Sequence, residues 1–123
     1  MSRSWLLYLD DMIASAEKIG RLTSKRGLEQ FVADEAVFDA VLFKLQVIGE
    51  SVKNLPNDAT ASLSEPHRSA PARLRDLIAH RYFALDPEII WEVANTHVPA
   101  LLGEALALRH RVEGRAPESG KAG

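Results

Sequence analysis

Apolar residues recur along this chain at three- and four-residue spacings in separate stretches, with polar punctuation between them. In the first stretch Trp5, Leu9, Met12, Ile13, Ala16 and Ile19 share one face, which predicts a helix with a single buried side. Ser4 suits its N-cap, and Gly20 with the polar run Thr23 to Gly27 suits its stop. Residues 27–33 can add a short extra turn. A second helix is predicted from Asp34, whose carboxylate can cap the free amides, to about Lys53. Its apolar set, Val37, Phe38, Val41, Leu42, Leu45, Ile48 and Val52, is wider than one stripe and places it centrally, with neighbours on two sides. Gly49 inside it costs about 1 kcal/mol relative to Ala, which close approach by another helix would offset.

Pro56 ends that helix, and residues 57–70, with Pro66 and several Ser, Thr and Asn residues, read as a long connection. Pro71 suits the first turn of a third helix, predicted to run to about Phe83. Asp86-Pro87-Glu88 then supplies an N-cap, a first-turn proline and an acid at the positive helix end. The last helix uses Ile89, Ile90, Val93, Val98, Leu101, Leu102, Leu106 and Leu108, with Pro99 expected to kink or interrupt it. No stretch carries a useful strand period and no repeat is present. The expected fold is all-α, a bundle of four to five helices over residues 1–112, followed by a flexible tail over 113–123.

The 123 residues are about one domain's worth, and 46% hydrophobic with 26% charged residues suffices for a core. A formal net charge of -2 argues against a general nucleic-acid coat, leaving room for a local basic patch. Cysteine is absent, which excludes disulfides and cysteine-held zinc and fits a reducing compartment. No apolar run is long enough to span a membrane and no signal segment opens the chain, so the expected location is the cytoplasm.

Chemistry concentrates in Arg75-Asp76-Leu77-Ile78-Ala79-His80-Arg81-Tyr82. On a helical wheel Leu74, Leu77, Ile78 and Leu85 form the packed side, and Phe83 lies opposite, which suggests a covered outer face. Arg75 and Tyr82 share one flank. Asp76 and His80 share another, where the carboxylate can accept a hydrogen bond from the ring. Arg75 and His80 diverge by about 140° on one regular helix. Two copies of the helix facing each other across a two-fold axis would bring Arg75 of one chain to His80 of the other, a composite site in a dimer. A metal-free imidazole and guanidinium suit RNA cleavage: His80 moves a proton at the 2′-hydroxyl or the leaving oxygen, and Arg75 stabilises charge on the phosphate.

Arg75, four residues, His80, one residue and Tyr82 resemble the Arg-x4-His-x-Tyr motif of HEPN-domain ribonuclease toxins, particularly the HepT type. Val47-Ile48-Gly49-Glu50, Asn54-Leu55-Pro56, Tyr82-Phe83 followed by Asp86, and Trp91 extend the resemblance over roughly residues 5–110. It implies a homodimeric helical bundle with the motif helix at the interface cleft. It also implies metal-independent endoribonuclease action on RNA, growth inhibition in a type VII-like toxin-antitoxin system, and no cofactor. A partner antitoxin is implied too, a minimal nucleotidyltransferase that transfers AMP from ATP to the motif tyrosine, here Tyr82. A phosphodiester on Tyr82 would place charge and bulk where an RNA phosphate must bind. Asp76 matches the polar residue common after the motif arginine and takes a supporting role.

Other residues have simpler readings. Arg73 and Arg81 could steer RNA, although scattered arginines commonly just solvate a helix. His67, His97 and His110 read as single surface or interface residues, Trp5 and Trp91 as packing anchors, and Glu50 as a solvated or paired carboxylate, with a role near the cleft as the alternative. Asp76 with His80 lacks a third ligand, so no metal site is expected. The alternative functions are a non-catalytic HEPN domain that binds nucleotide or RNA, and a helical scaffold for a nucleotidyltransferase.

Overall fold

The computed structural model describes residues 4–81 and 85–115, and every regular element among them is helical. Ser4 Oγ accepts the Leu6 amide at 3.3 Å and opens α1, Trp5–Thr23. Its buried stripe Leu9, Met12, Ala16 and Ile19 is followed by the buried Thr23, where the expected polar stop begins and the helix ends. It closes where the Thr23 hydroxyl donates to the Ile19 carbonyl at 2.9 Å and Lys25 turns the chain at φ 62°.

The extra turn at 27–33 is a short helix, α2, Leu28–Ala33. It carries Phe31 into the core, with ring centroids 5.0 Å from Trp91 and 5.1 Å from Phe38. Asp34 caps α3, Glu35–Lys53, by accepting the Val37 amide at 3.2 Å, and it pairs with Arg26 at 3.3 Å. As its broad apolar surface requires, α3 packs against α1 on one side and α5 on another. Val41, Leu45 and Ile48 are fully buried between them, each side chain contributing about 1.5–3 kcal/mol from burial.

The connection after Pro56 contains a one-turn helix, α4, Asn57–Thr60. Its remainder is fastened to the last helix: Ser64 bonds the Glu104 carboxylate through amide and hydroxyl, and Arg111 donates to the Ser62 hydroxyl at 2.8 Å. The motif helix α5 spans Ser69–Arg81 and buries Pro71, Leu74 and Ile78. The expected end near Phe83 lies outside the described residues.

Asp86 accepts the Glu88 amide at 2.9 Å and opens α6, Pro87–Glu92, with the proline in its first turn. A π-helical segment, Val93–His97, links α6 to α7, Val98–Arg115. Pro99 therefore widens the helix ahead of it without breaking it. The Val98 amide reaches the Val93 carbonyl, and the wider turn relieves the clash a proline ring makes with the preceding turn. α7 continues to Arg115, past the expected boundary at Glu113; residues 116–123 lie outside the described residues. No helix among the described residues is long and apolar enough to cross a membrane.

Candidate active site

α5 presses on α3 at Gly49. A Cβ built there would fall 2.6 Å from the Pro71 carbonyl oxygen and 2.9 Å from Arg75 Cβ, so this interior glycine is the notch that admits the motif helix. The close approach seats the Arg75 side chain over the polar flank of α3. Its Nη2 meets Glu50 Oε1 at 2.9 Å and its Nη1 meets Asp76 Oδ1 at 3.1 Å.

Each carboxylate is secured in turn. Asn54 Nδ2 donates to Glu50 Oε2 at 3.0 Å and to the Glu50 carbonyl at 2.9 Å, while Lys53 Nζ donates to Asp76 Oδ1 at 2.8 Å. The result is a chain of hydrogen bonds and ion pairs, Asn54–Glu50–Arg75–Asp76–Lys53, that fixes the plane of the guanidinium. The Lys53 hydrogen bond, with the charges of Lys53 and Arg75, holds the Asp76 carboxyl below the ordinary aspartate range despite some opposing desolvation. Arg75 also lines a cleft of about 410 Å³ with Tyr8 and Asp11 of α1 and Gln46, Val47, Glu50 and Ser51 of α3. The Arg75 guanidinium is half-buried at the wall of this open cleft, its orientation held by Glu50 on the same wall and by Asp76.

His80 stands apart from this cluster. Its side chain is exposed, and among the described residues it makes no hydrogen bond or ion pair. The hydrogen bond expected between Asp76 and His80 is not formed: Asp76 turns to Lys53 and Arg75, the nearer cations. Arg75 and His80 thus lie on one helix with no contact joining them, as their five-residue separation requires. Arg73 is exposed. Tyr82 and the side chain of Arg81 lie outside the described residues.

Glu50 is the paired carboxylate that its sequence allows, and its partner is Arg75 at the cleft. Glu50, Lys53 and Asn54 fall at three- and four-residue spacings on one flank of α3 and so were visible as a polar patch. What the sequence did not give was which helix would lie against that patch. His67 and His97, read as separate, are brought together across thirty positions, with Nδ1 atoms 3.0 Å apart.

The fold and cleft define an all-helical protein that offers an anchored guanidinium and an open imidazole on a single helix. The family model described as "Ribonuclease HepT-like" matches residues 12–107. The chain belongs to that family. A protein of Thermococcus cleftensis named "Probable ribonuclease HepT" is 35% identical over 109 residues, covering 89% of this chain and 99% of that one. A Methanocaldococcus jannaschii protein named "Putative RNase" is 34% identical over 107 residues, 87% of this chain and 88% of its own. Another of that name, from Caldanaerobacter subterraneus, is 33% identical over 98 residues and is covered over 84% of its length. No solved structure matches the chain.

Proposed function

We propose that the protein is an endoribonuclease toxin whose active site is completed in a homodimer. Arg75 of one chain binds and neutralises the scissile phosphate, and His80 of the other moves the proton at the 2′-hydroxyl or the leaving oxygen. The observation that carries this reading is the division of labour on α5. Arg75 is tethered by Glu50 and Asp76 at the wall of a cleft, whereas His80 projects into solvent without a partner among the described residues. A guanidinium fixed before substrate arrives loses little freedom on binding a phosphate, and an unpaired imidazole is available for proton transfer. Both roles use only side chains of this chain, with no cofactor or metal in any step.

Family membership supports RNA as the substrate. The same membership supports control by a cognate minimal nucleotidyltransferase that transfers AMP from ATP to Tyr82. The phenol oxygen attacks the α-phosphate, pyrophosphate leaves, and the new phosphodiester adds negative charge at Tyr82, within the same sequence motif as Arg75. In this reading the added charge and bulk exclude an RNA phosphate. The site operates in the cytoplasm, where its RNA substrate lies.

The test is complementation between two inactive chains. Arg75→Ala and His80→Ala proteins are each inactive, and mixing and reassociating them gives mixed dimers with one intact composite site. About a quarter of wild-type cleavage should return, since half of the dimers are mixed and each has one of its two sites restored. No recovery, from chains shown to exchange, rules out the composite site. If His80→Ala still binds RNA and wild type never cleaves it, the protein is a binding module.

A further inference from the structure

His67 and His97 face each other through their Nδ1 atoms at 3.0 Å, with ring centroids 5.2 Å apart and planes inclined by 48°. Both side chains are partly buried. His67 comes from the connection before α5, and His97 from the last position of the π-helical segment. This meeting is imposed from outside the pair. The connection is independently fastened to α7 by Ser64 on Glu104 and by Arg111 on Ser62, and Arg68 donates to the Thr60 carbonyl at 2.6 Å and the Leu63 carbonyl at 3.3 Å. The widened turn ahead of Pro99 sets where His97 sits. The two imidazoles are therefore held at their separation by contacts that do not involve them.

We propose that His67 and His97 form a binding site for one late first-row divalent metal ion, each ring ligating through Nδ1. Two nitrogens 3.0 Å apart that each bond a metal at about 2.0–2.1 Å subtend roughly 90–100° at it. That is the cis angle of a square-planar or octahedral ion, and widening by a few tenths of an ångström reaches the tetrahedral angle. Imidazole pairs suit Zn²⁺, Ni²⁺ and Cu²⁺ in this role.

Without metal, one ring carries its proton on Nδ1 and donates it to the other. Binding moves that proton to Nε2 of the same ring, so both Nδ1 lone pairs face the ion and a neutral pair releases no net proton. Among the described residues no third His, Asp or Glu completes the set, so water or an added ligand fills the remaining positions. The ion would join the connection to the π-helical segment two residues ahead of Ser69, where the motif helix begins. The site is distinct from the Arg75 cleft and does not depend on the ribonuclease reading.

The experiment is titration of the metal-stripped full chain with ZnCl₂ and, separately, NiCl₂, following heat release and thermal unfolding. Wild type should bind one ion per chain, and its Tm should rise by roughly 10 °C when free metal is a hundredfold above Kd. His67→Ala and His97→Ala should each weaken binding at least tenfold and remove most of the Tm rise, while His110→Ala keeps both. Equal binding by wild type and both pair variants overturns the proposal. Should either variant misfold, the side-chain ¹⁵N spectrum of wild type decides: Nδ1 resonances of His67 and His97 must shift together and saturate at one equivalent of Zn²⁺. If they stay in place, the contact is a hydrogen bond alone and there is no metal site.

Discussion

Gly49 and Arg75 are so close that a single methyl group on the glycine would come within 2.9 Å of the arginine Cβ. The anchoring of the candidate catalytic cation therefore depends on a residue without a side chain, on a different helix. Helix packing and site geometry meet at this point.

Gly49→Ala sets two effects against each other. Alanine is the better helix former by about 1 kcal/mol, but its methyl must push α5 away from the Pro71 carbonyl, and overpacking of this kind costs about 1–3 kcal/mol. A net loss of stability is expected in urea denaturation. RNA cleavage should fall further than stability does, because the shift carries Arg75 off Glu50. Unchanged cleavage in a folded variant would show that the close approach does not position the site.

Glu50→Gln removes the charge behind Arg75 but keeps the shape. The pair is half exposed, so stability should change by less than about 1 kcal/mol. Cleavage should drop about tenfold or more, mainly through kcat, since a looser guanidinium meets the transition state less well than the ground state. Single-turnover kinetics on a defined RNA separate this from a loss of binding.

His80→Ala should abolish cleavage and leave unfolding stability within the range of a neutral surface change, about ±0.5 kcal/mol. Leu45→Ala, at a fully buried position of α3, should do the reverse, costing about 2–5 kcal/mol while the residual folded protein still cleaves. If His80→Ala retains activity, the imidazole has no part in the chemistry.

Asp76 provides the pH test. Its folded-state pKa is depressed, chiefly by the Lys53 hydrogen bond. The pairing is thus fully present above the unfolded aspartate value, about 3.9, and is lost as pH falls through the lower folded value. NMR titration of the Asp76 carboxyl should place its midpoint below that of a free aspartate. Lys53→Met should move the midpoint upward, and an unmoved midpoint would mean that another group holds the carboxylate.

Much of the fold was legible because its signals are local. Ser4, Asp34 and Asp86 were identified as caps from their positions ahead of apolar periods, and each accepts the amide expected of a cap. The central place of α3 followed from the width of its apolar set. The stop of α1 fell where the polar run Thr23 to Gly27 begins, and Pro99 was accommodated by a π-helical turn. A lone proline signals strain without saying how the chain will relieve it.

The sequence by itself determined the helices, their buried faces and the Arg75–His80 spacing, because each depends on residues within a few turns of one another. Only the tertiary structure decided that Glu50 and Asp76, backed by Asn54 and Lys53, hold Arg75, that Asp76 turns away from His80, and that His67 meets His97. Those contacts join residues far apart in the chain. Their partners are chosen by how helices pack, and here by one missing Cβ at Gly49, which no local pattern of side chains encodes.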